Sequence, residues 1–288
     1  MSKHKSIYGI IGYPVHHSLS PLLHNTAFQA LAVNAEYKLF PLREEELSNF
    51  FAELHEKKNH IFGLNVTVPY KETVVSYMDH MSPFALKVGA VNTIVISEDR
   101  KLTGFNTDGP GFLTHLTELK FDTRGKRIAI LGAGGTARAI VAVLCLIQER
   151  PERIKIYNRS RENLNQLISD LGHRIDVSIV EPVDTVDDLN IELADLLVNT
   201  TPVGMQATDL PLVDAGHLHS NMLVYDVIYN PEETKLLHMA KTKGAKAANG
   251  LGMLFYQGIL AFQHWAGTEL EPAVKSKMRE SLRKGIQK

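Results

Sequence analysis

The chain alternates short apolar runs with segments whose apolar residues recur every three or four positions, the patterns of a buried strand and an amphipathic helix. In the first hundred residues, 7–11, 36–41, 61–66 and 91–96 are rich in β-branched and apolar side chains and read as strands. Between them, 21–32 and 44–57 carry helical spacing. Residues 101–105 add a strand that pairs with 91–96 across the polar turn 97–100. That makes a mixed α/β unit with an antiparallel element. From Asp108 the pattern restarts, with helical spacing at 111–119 and 138–148 and strands at 128–131, 153–158, 177–180, 196–199, 223–227 and 245–248. Helices between those strands predict a doubly wound parallel sheet. Two helices close the chain, 251–265 and 272–286; they need an apolar face to cover and are expected to return to the first unit. The resulting organisation is a first α/β domain over 1–107, a second over 108–249, and C-terminal helices over 250–288.

Length and charge narrow the function. At 288 residues the chain can bury a substantial core in two domains. A net charge of −1 argues against a nucleic-acid or anionic-membrane partner. The apolar run 139–147 is too short to span a bilayer, and the opening 1–5 leads into a strand rather than a signal-peptide core. The single cysteine, Cys145, excludes an internal disulfide and a cysteine zinc site. Among the 13 histidines only His16-His17 invites a metal, and adjacent histidines point apart on either regular element. No bound metal is predicted. The expectation is a cytoplasmic protein acting on a small molecule, as a monomer or homodimer.

The most informative chemistry lies at Gly132, Ala133, Gly134, Gly135 and Thr136, directly after the strand 128–131 and before a helix. Gly132 permits a tight turn, Gly134 lets the backbone approach a pyrophosphate, and Ala137 is small enough for the helix to pack on the strand. Backbone amides at a helix start attract an anion. After the next strand come Asn158, Arg159, Ser160 and Arg161. A site preferring NAD usually places Asp or Glu here, whereas Arg neutralises and forks onto the 2′-phosphate of NADP. The cofactor reading is therefore NADP, with Ser160 also suited to cap the following helix.

Polar clusters sit where the periodic pattern breaks. Ser20 before Pro21 reads as a helix N-cap, which leaves Ser18 unexplained; together the two hydroxyls can hold a carboxylate at the helix start. Asn65 and Thr67 share one face of a strand that Pro69 ends, and Lys71 follows at its rim, where a lysine is usually solvated. Asn92 enters an apolar strand and needs partners there. Asp108 precedes Gly109-Pro110 and suits a helix cap. Tyr229 follows the strand 223–227, and Gln257 stands among apolar residues of the tail helix.

Each cluster has a local explanation, but their order along the chain is more specific. Gly12-Tyr-Pro-Val-His-His-Ser-Leu-Ser-Pro21, Asn65-Val-Thr-Val-Pro-Tyr-Lys71, Gly89-Ala-Val-Asn-Thr93, Asn106-Thr-Asp108, Gly132-Ala-Gly-Gly135, Asn199-Thr-Thr-Pro202 and Gly250-Leu-Gly-Met-Leu-Phe-Tyr-Gln257 together resemble the shikimate dehydrogenase family over nearly the whole chain. The resemblance implies a substrate domain followed by a Rossmann NADP domain. It implies reversible reduction of 3-dehydroshikimate to shikimate with NADPH, in aromatic amino-acid biosynthesis. It further implies that Ser18 and Ser20 bind the substrate carboxylate, that Asn65, Thr67, Asn92 and Gln257 bond the ring hydroxyls, and that Tyr229 lines the pocket. Lys71 and Asp108 would face the reacting carbon, and Val227 and Gly250 would stand near the nicotinamide. Two departures stand out: Ser160 replaces the family's Thr with Arg161 following at once, and Val227 replaces a common Met. A quinate/shikimate dehydrogenase of relaxed specificity is the neighbouring reading. A non-catalytic NADP sensor is the more distant one, disfavoured because a sensor needs no proton-transfer pair.

Overall fold

The computed structural model describes residues 5–286; the opening four residues, read above for a targeting signal, lie outside it. Its contacts divide the chain into two compact units, one running to Gly111 and resuming at Leu254, the other spanning Phe112–Met253. Both junctions fall inside helices, four residues beyond the boundaries read from sequence at 107/108 and 249/250.

The first unit contains β1 (Ser6–Gly12), α1 (Ser20–Ala30), β2 (Ala35–Pro41), α2 (Leu47–Leu54), β3 (Ile61–Val66), β4 (His80–Met81), α3 (Pro83–Val88), β5 (Thr93–Ile96) and β6 (Leu102–Phe105). The strands form a sheet in the order β2-β1-β3-β5-β6-β4. The pairs β1–β2 and β1–β3 are parallel, and β5 runs antiparallel to β3 and β6. Because β1, β3 and β6 run one way and β5 the other, the ends of β1, β3 and β6 and the start of β5 meet at one edge of the sheet. The polar residues that the sequence singled out in this unit, Gln257 of the tail helix apart, lie on the segments that leave or enter that edge.

The core explains the helices. In α1, Ser20, Leu23, His24, Ala27 and Phe28 are buried, one stripe at helical spacing. That helix packs against α9 (Pro272–Ile286), whose buried Val274, Met278 and Leu282 form the facing stripe. α8 (Leu251–Ala266) brings Trp265 onto β3 and β5, where its indole N–H donates to the Ile94 carbonyl at 3.0 Å.

In chain order α4 (Asp108–Glu118) leads into β7 (Arg127–Leu131), α5 (Gly135–Leu146), β8 (Arg153–Tyr157), α6 (Arg161–Gly172), β9 (Val180–Val183), β10 (Leu196–Asn199), β11 (Leu223–Asp226), α7 (Lys235–Thr242) and β12 (Lys246–Ala248). These strands pair in parallel in the order β12-β11-β10-β7-β8-β9, the doubly wound Rossmann arrangement. β10 is buried at every position and α5 from Ala137 to Cys145, as a parallel sheet covered on both faces requires. The Cys145 thiol is pushed up to about 12 by that burial, so it is a packed and inert group.

Four elements differ from the sequence reading. The strand expected at 177–180 starts at Val180, because the Val180 amide first closes a turn onto Val177 (2.8 Å); Pro182 is tolerated since β9 is a sheet edge. The helix expected over 44–57 opens as a 3₁₀ turn at Glu44–Glu46 and stops at Leu54. β4 and α3 were not foreseen.

Candidate active site

The edge of the first sheet collects the expected residues. The Lys71 ammonium donates to Asp108 Oδ2 at 2.7 Å, and the two residues are only 8% and 6% exposed. Lys71 is buried rather than in the solvated position usual for a lysine past a strand end: β3 ends at Val66, the chain turns, and the Val91 amide holds the Lys71 carbonyl at 2.7 Å. Asp108 is not the helix cap. Asn106 is, its Oδ1 accepting from the amides of Asp108 (3.2 Å) and Gly109 (3.4 Å) while its Nδ2 donates to Ala90. Freed from capping, the Asp108 carboxylate faces Lys71 and accepts from Asn92 Nδ2 at 2.9 Å.

Asn92 is heavily committed. Its Oδ1 accepts from the Thr107 amide at 2.7 Å, and its Nδ2 donates to Thr107 Oγ1 and Asp108 Oδ1, with Gln257 Oε1 at 3.5 Å. Gln257 donates to the Leu254 carbonyl at 2.8 Å and reaches this cluster because α4 carries Gly111, where a Cβ would lie 2.8 Å from the Gln257 amide nitrogen. Asn65 donates to the Asn92 carbonyl and to Thr93 Oγ1, and accepts at Oδ1 from the Tyr37 hydroxyl at 2.6 Å. With both amide hydrogens used, its spare capacity is as an acceptor. Thr67 lies half-buried one residue past β3, its amide bonded to the Ile11 carbonyl.

The Ser-Leu-Ser-Pro turn reverses the sequence assignment. Ser20 is the first residue of α1, not its cap, and it is Ser18 whose Oγ accepts from the Ser20 amide at 3.2 Å. Thr93, Asn106 and Thr107, which the sequence motifs contained without a role, also belong to this network, as does Tyr37, which the sequence reading did not name. Asn106 carried a signal, an Asx residue two positions before a helix start.

The second unit carries the nucleotide candidates. Gly132 has φ +105° and a Cβ there would stand 2.5 Å from Thr200 Oγ1, so both backbone and packing demand glycine. Ala133 follows, then Gly134, where an added Cβ would meet nothing within 4 Å. Gly135 and Thr136 open α5, and no side chain caps it. Open space before an uncapped helix start suits a diphosphate. Asn158 folds back onto the Ser160 carbonyl, and Ser160 caps α6 by accepting from the Asn163 amide. Arg161 is paired with Asp184 at 2.8 Å, whereas Arg159 is exposed and has no partner among the described residues. These residues fit a dinucleotide bearing a 2′-phosphate.

Val227 and Gly250 are held together: the Gly250 amide bonds the Ile228 carbonyl at 3.0 Å, and a Cβ on Gly250 would collide with the Val227 carbonyl. Asn199 fixes this loop, its carbonyl taking the Val227 amide and its Nδ2 donating to Asp226 at 3.0 Å. Burial pushes the Asp226 carboxyl above its ordinary range, opposed by donors from Thr234, Ile228 and Asn199. Tyr229 is half-buried and lies in this second unit.

A nucleotide-binding sheet in one unit and a buried ammonium–carboxylate pair among amides and hydroxyls in the other are the parts of a dinucleotide-dependent oxidoreductase. Residues 10–94 match the family model of the shikimate dehydrogenase substrate binding domain. The shikimate dehydrogenase (NADP+) of Methanopyrus kandleri is 42% identical over 282 residues, covering 96% of this chain and 94% of that protein. Among solved structures, shikimate dehydrogenase from Aquifex aeolicus superposes with TM-score 0.87 at 36% identity, covering 98% of this chain and 99% of that one. Shikimate 5-dehydrogenase from Thermus thermophilus, in complex with NADP(H) and shikimate, gives 0.81 at 33% identity, with 97% and 99% covered. The chain belongs to the shikimate dehydrogenase family.

Proposed function

We propose that this chain catalyses the reversible NADPH-dependent reduction of 3-dehydroshikimate to shikimate. The observation that carries the reading is the buried Lys71–Asp108 pair at 2.7 Å, set among amide and hydroxyl groups. NADPH supplies a hydride when bound. The residues around Gly132–Thr136, with Asn158, Arg159 and Ser160, hold its phosphates and ribose, and Val227 and Gly250 its nicotinamide end. Arg161 is a secondary contact because Asp184 engages it.

Ser18 and Ser20 seat the substrate carboxylate at the start of α1. Asn65, Thr67, Asn92 and Gln257 orient the ring hydroxyls, and Tyr229 lines the pocket. As the C3 carbonyl becomes an alkoxide, the Lys71 ammonium stabilises the growing charge and transfers a proton to that oxygen. Lys71 regains its proton from solvent. Asp108 aims the ammonium and, through Asn92, ties it to the ring-binding amides. In the oxidation direction a neutral Lys71 accepts the hydroxyl proton.

The reading includes a cytoplasmic location, a monomer or homodimer, and no nucleic-acid or membrane partner. Absorbance at the NADPH band tests the activity, with shikimate and then quinate as substrate and NADP and then NAD as cofactor. Turnover of shikimate with NADP far above quinate is expected. No shikimate-dependent signal overturns the reading, and equal turnover of quinate replaces it with the relaxed-specificity enzyme.

A further inference from the structure

In a doubly wound fold a dinucleotide lies across the carboxyl ends of the strands, one mononucleotide on each half of the sheet. The turn at Gly132 and Arg159 follow β7 and β8, so the adenosine side belongs there and the nicotinamide side falls to the ends of β10 and β11. Those two strands end on Asn199 and Asp226, which stand opposite each other in register. Asp226 is fully buried, at 0% exposure, and directly precedes Val227.

Its hydrogen bonds call for an ionised carboxylate. Oδ1 accepts from the Ile228 amide at 3.2 Å and from Asn199 Nδ2 at 3.0 Å, and Oδ2 accepts from Thr234 Oγ1 at 2.7 Å. The Asn199 amide is fixed from its other side, where Oδ1 accepts from the Thr201 amide and Nδ2 donates to the Val203 carbonyl, both at 3.1 Å. A protonated Asp226 would have to place its hydrogen on Thr234 Oγ1, which already accepts from the Leu237 amide at 3.3 Å. The hydroxyl hydrogen of Thr234, a residue 1% exposed, would then lose its acceptor. Ionisation satisfies every group, and no lysine, arginine or histidine pairs with this carboxylate among the described residues. A charge kept in the interior at that desolvation cost, with no cation beside it, is left to act on the charge of a ligand.

We propose that Asp226 is a fixed counter-charge for the nicotinamide end of the cofactor, favouring NADP+ over NADPH at the site and so favouring hydride donation. The two forms differ there by one unit, since the oxidised ring is a cation and the reduced ring is neutral. Phosphates, riboses and adenine are common to both, so their interactions cancel in the comparison. A buried negative charge acts on the difference that remains, and the low dielectric and weak screening of the interior carry its effect beyond contact distance. The inference rests on the reading of Val227 and Gly250 as neighbours of the nicotinamide.

Separate titrations with NADP+ and NADPH give the ratio of their Kd values without any turnover. Asp226→Asn keeps the shape and removes the charge, and the Kd of NADP+ relative to that of NADPH should rise about five- to thirtyfold. That is the effect of one unit charge on another within about 15 Å at an effective dielectric of about 20. Asp226→Ser, smaller and also neutral, is the second variant and should move the ratio the same way should the first not fold. Asp226→Glu disturbs the three contacts but keeps the charge, and should leave the ratio near its wild-type value even where both affinities fall. An unchanged ratio in the neutral variants, or the same shift in Asp226→Glu, overturns the proposal and leaves Asp226 an anchor of its loop. Failure of the underlying reading is separable: there, Val227→Trp would weaken NADP+ no more than 2′-phospho-ADP-ribose, which lacks the nicotinamide.

Discussion

Replacing Lys71 by alanine removes one partner of a buried ion pair and the only ammonium in the proposed chemistry. Two magnitudes follow. Breaking a buried pair from one side costs about 3–5 kcal/mol of stability, because the other charge is left in low dielectric. Here Asp108 keeps the Asn92 N–H at 2.9 Å, so the loss falls at the lower end, about 3 kcal/mol. Catalysis should lose about 10²–10⁴ in kcat, the range for a positioned proton donor. Affinity for NADP should barely change, since every residue that fits the nucleotide lies in Phe112–Met253. Asp108→Asn should also lower kcat, and the double variant should fall well short of the summed losses because the pair acts as one unit. Urea melts, steady-state kinetics at saturating substrate and a titration of NADP measure all three quantities. An increase in KM with kcat intact would make Lys71 a uniform binder and move the proton donor elsewhere. Strictly additive losses would detach Asp108 from it.

Arg159→Ala should weaken NADP binding by about 1.5–3 kcal/mol more than NAD binding, as a charge-assisted contact is lost. Arg161→Ala should do less because Asp184 already engages that guanidinium, and equal loss for both cofactors would refute the 2′-phosphate assignment. Ser18→Ala should cost about 0.5–1.5 kcal/mol in a thermal melt as a lost turn hydrogen bond and also raise the KM for shikimate, whereas an unchanged melt would show that the 3.2 Å bond to the Ser20 amide contributes nothing. Burial lowers the His24 imidazole from its ordinary 6.5 to about 3, opposed by Asn65. The unfolded chain therefore takes up a proton below about pH 6.5 that the folded one refuses until about pH 3, and stability from this group, complete above that window, is lost as pH falls through it. The slope should be about 1 kcal/mol per pH unit and should vanish in His24→Phe; urea midpoints of the two proteins that run parallel from pH 6.5 to 4 would disprove it.

What the sequence made legible follows from how locally each feature is determined. The turn at Gly132 is set by one strand, one backbone angle and one helix start, all within ten residues, and Ser160 caps α6 from three residues away. The reading of Ser20 as the cap failed by one residue, Leu19 standing at the N-cap, because Pro21 is tolerated at the second helical position as well as the first. Lys71 looked solvated because its partner is 37 residues downstream, and no local pattern announces that distance. Tyr37 was hidden for the same reason: in the strand pattern it is one more apolar position, while its partners Asn25 and Asn65 are 12 and 28 residues away. α3 was missed although Ser82 and Pro83 form a readable start, Ser82 accepting from the Ala85 amide at 3.2 Å.

The pairing of Lys71 with Asp108 also bears on orientation. A lone buried ammonium would be a strong anion site, and on the proposed function a substrate carboxylate would be drawn to it in competition with the hydroxyls of Ser18 and Ser20. At 2.7 Å the Asp108 carboxylate cancels most of the long-range field of that ammonium while leaving it a hydrogen-bond donor at short range. A neutral carbonyl loses little by this, since what it needs is an N–H at contact distance. A carboxylate loses the attraction that would have drawn it in backwards. On the proposed function the pair would sort the two ends of the substrate by charge, sending the anionic end to the turn before α1 and the reducible end to Lys71. In Asp108→Asn that sorting is lost along with the aim of the ammonium, so the variant retains a proton donor and still fails. The carboxylate is needed as much for what it keeps away from Lys71 as for how it points it.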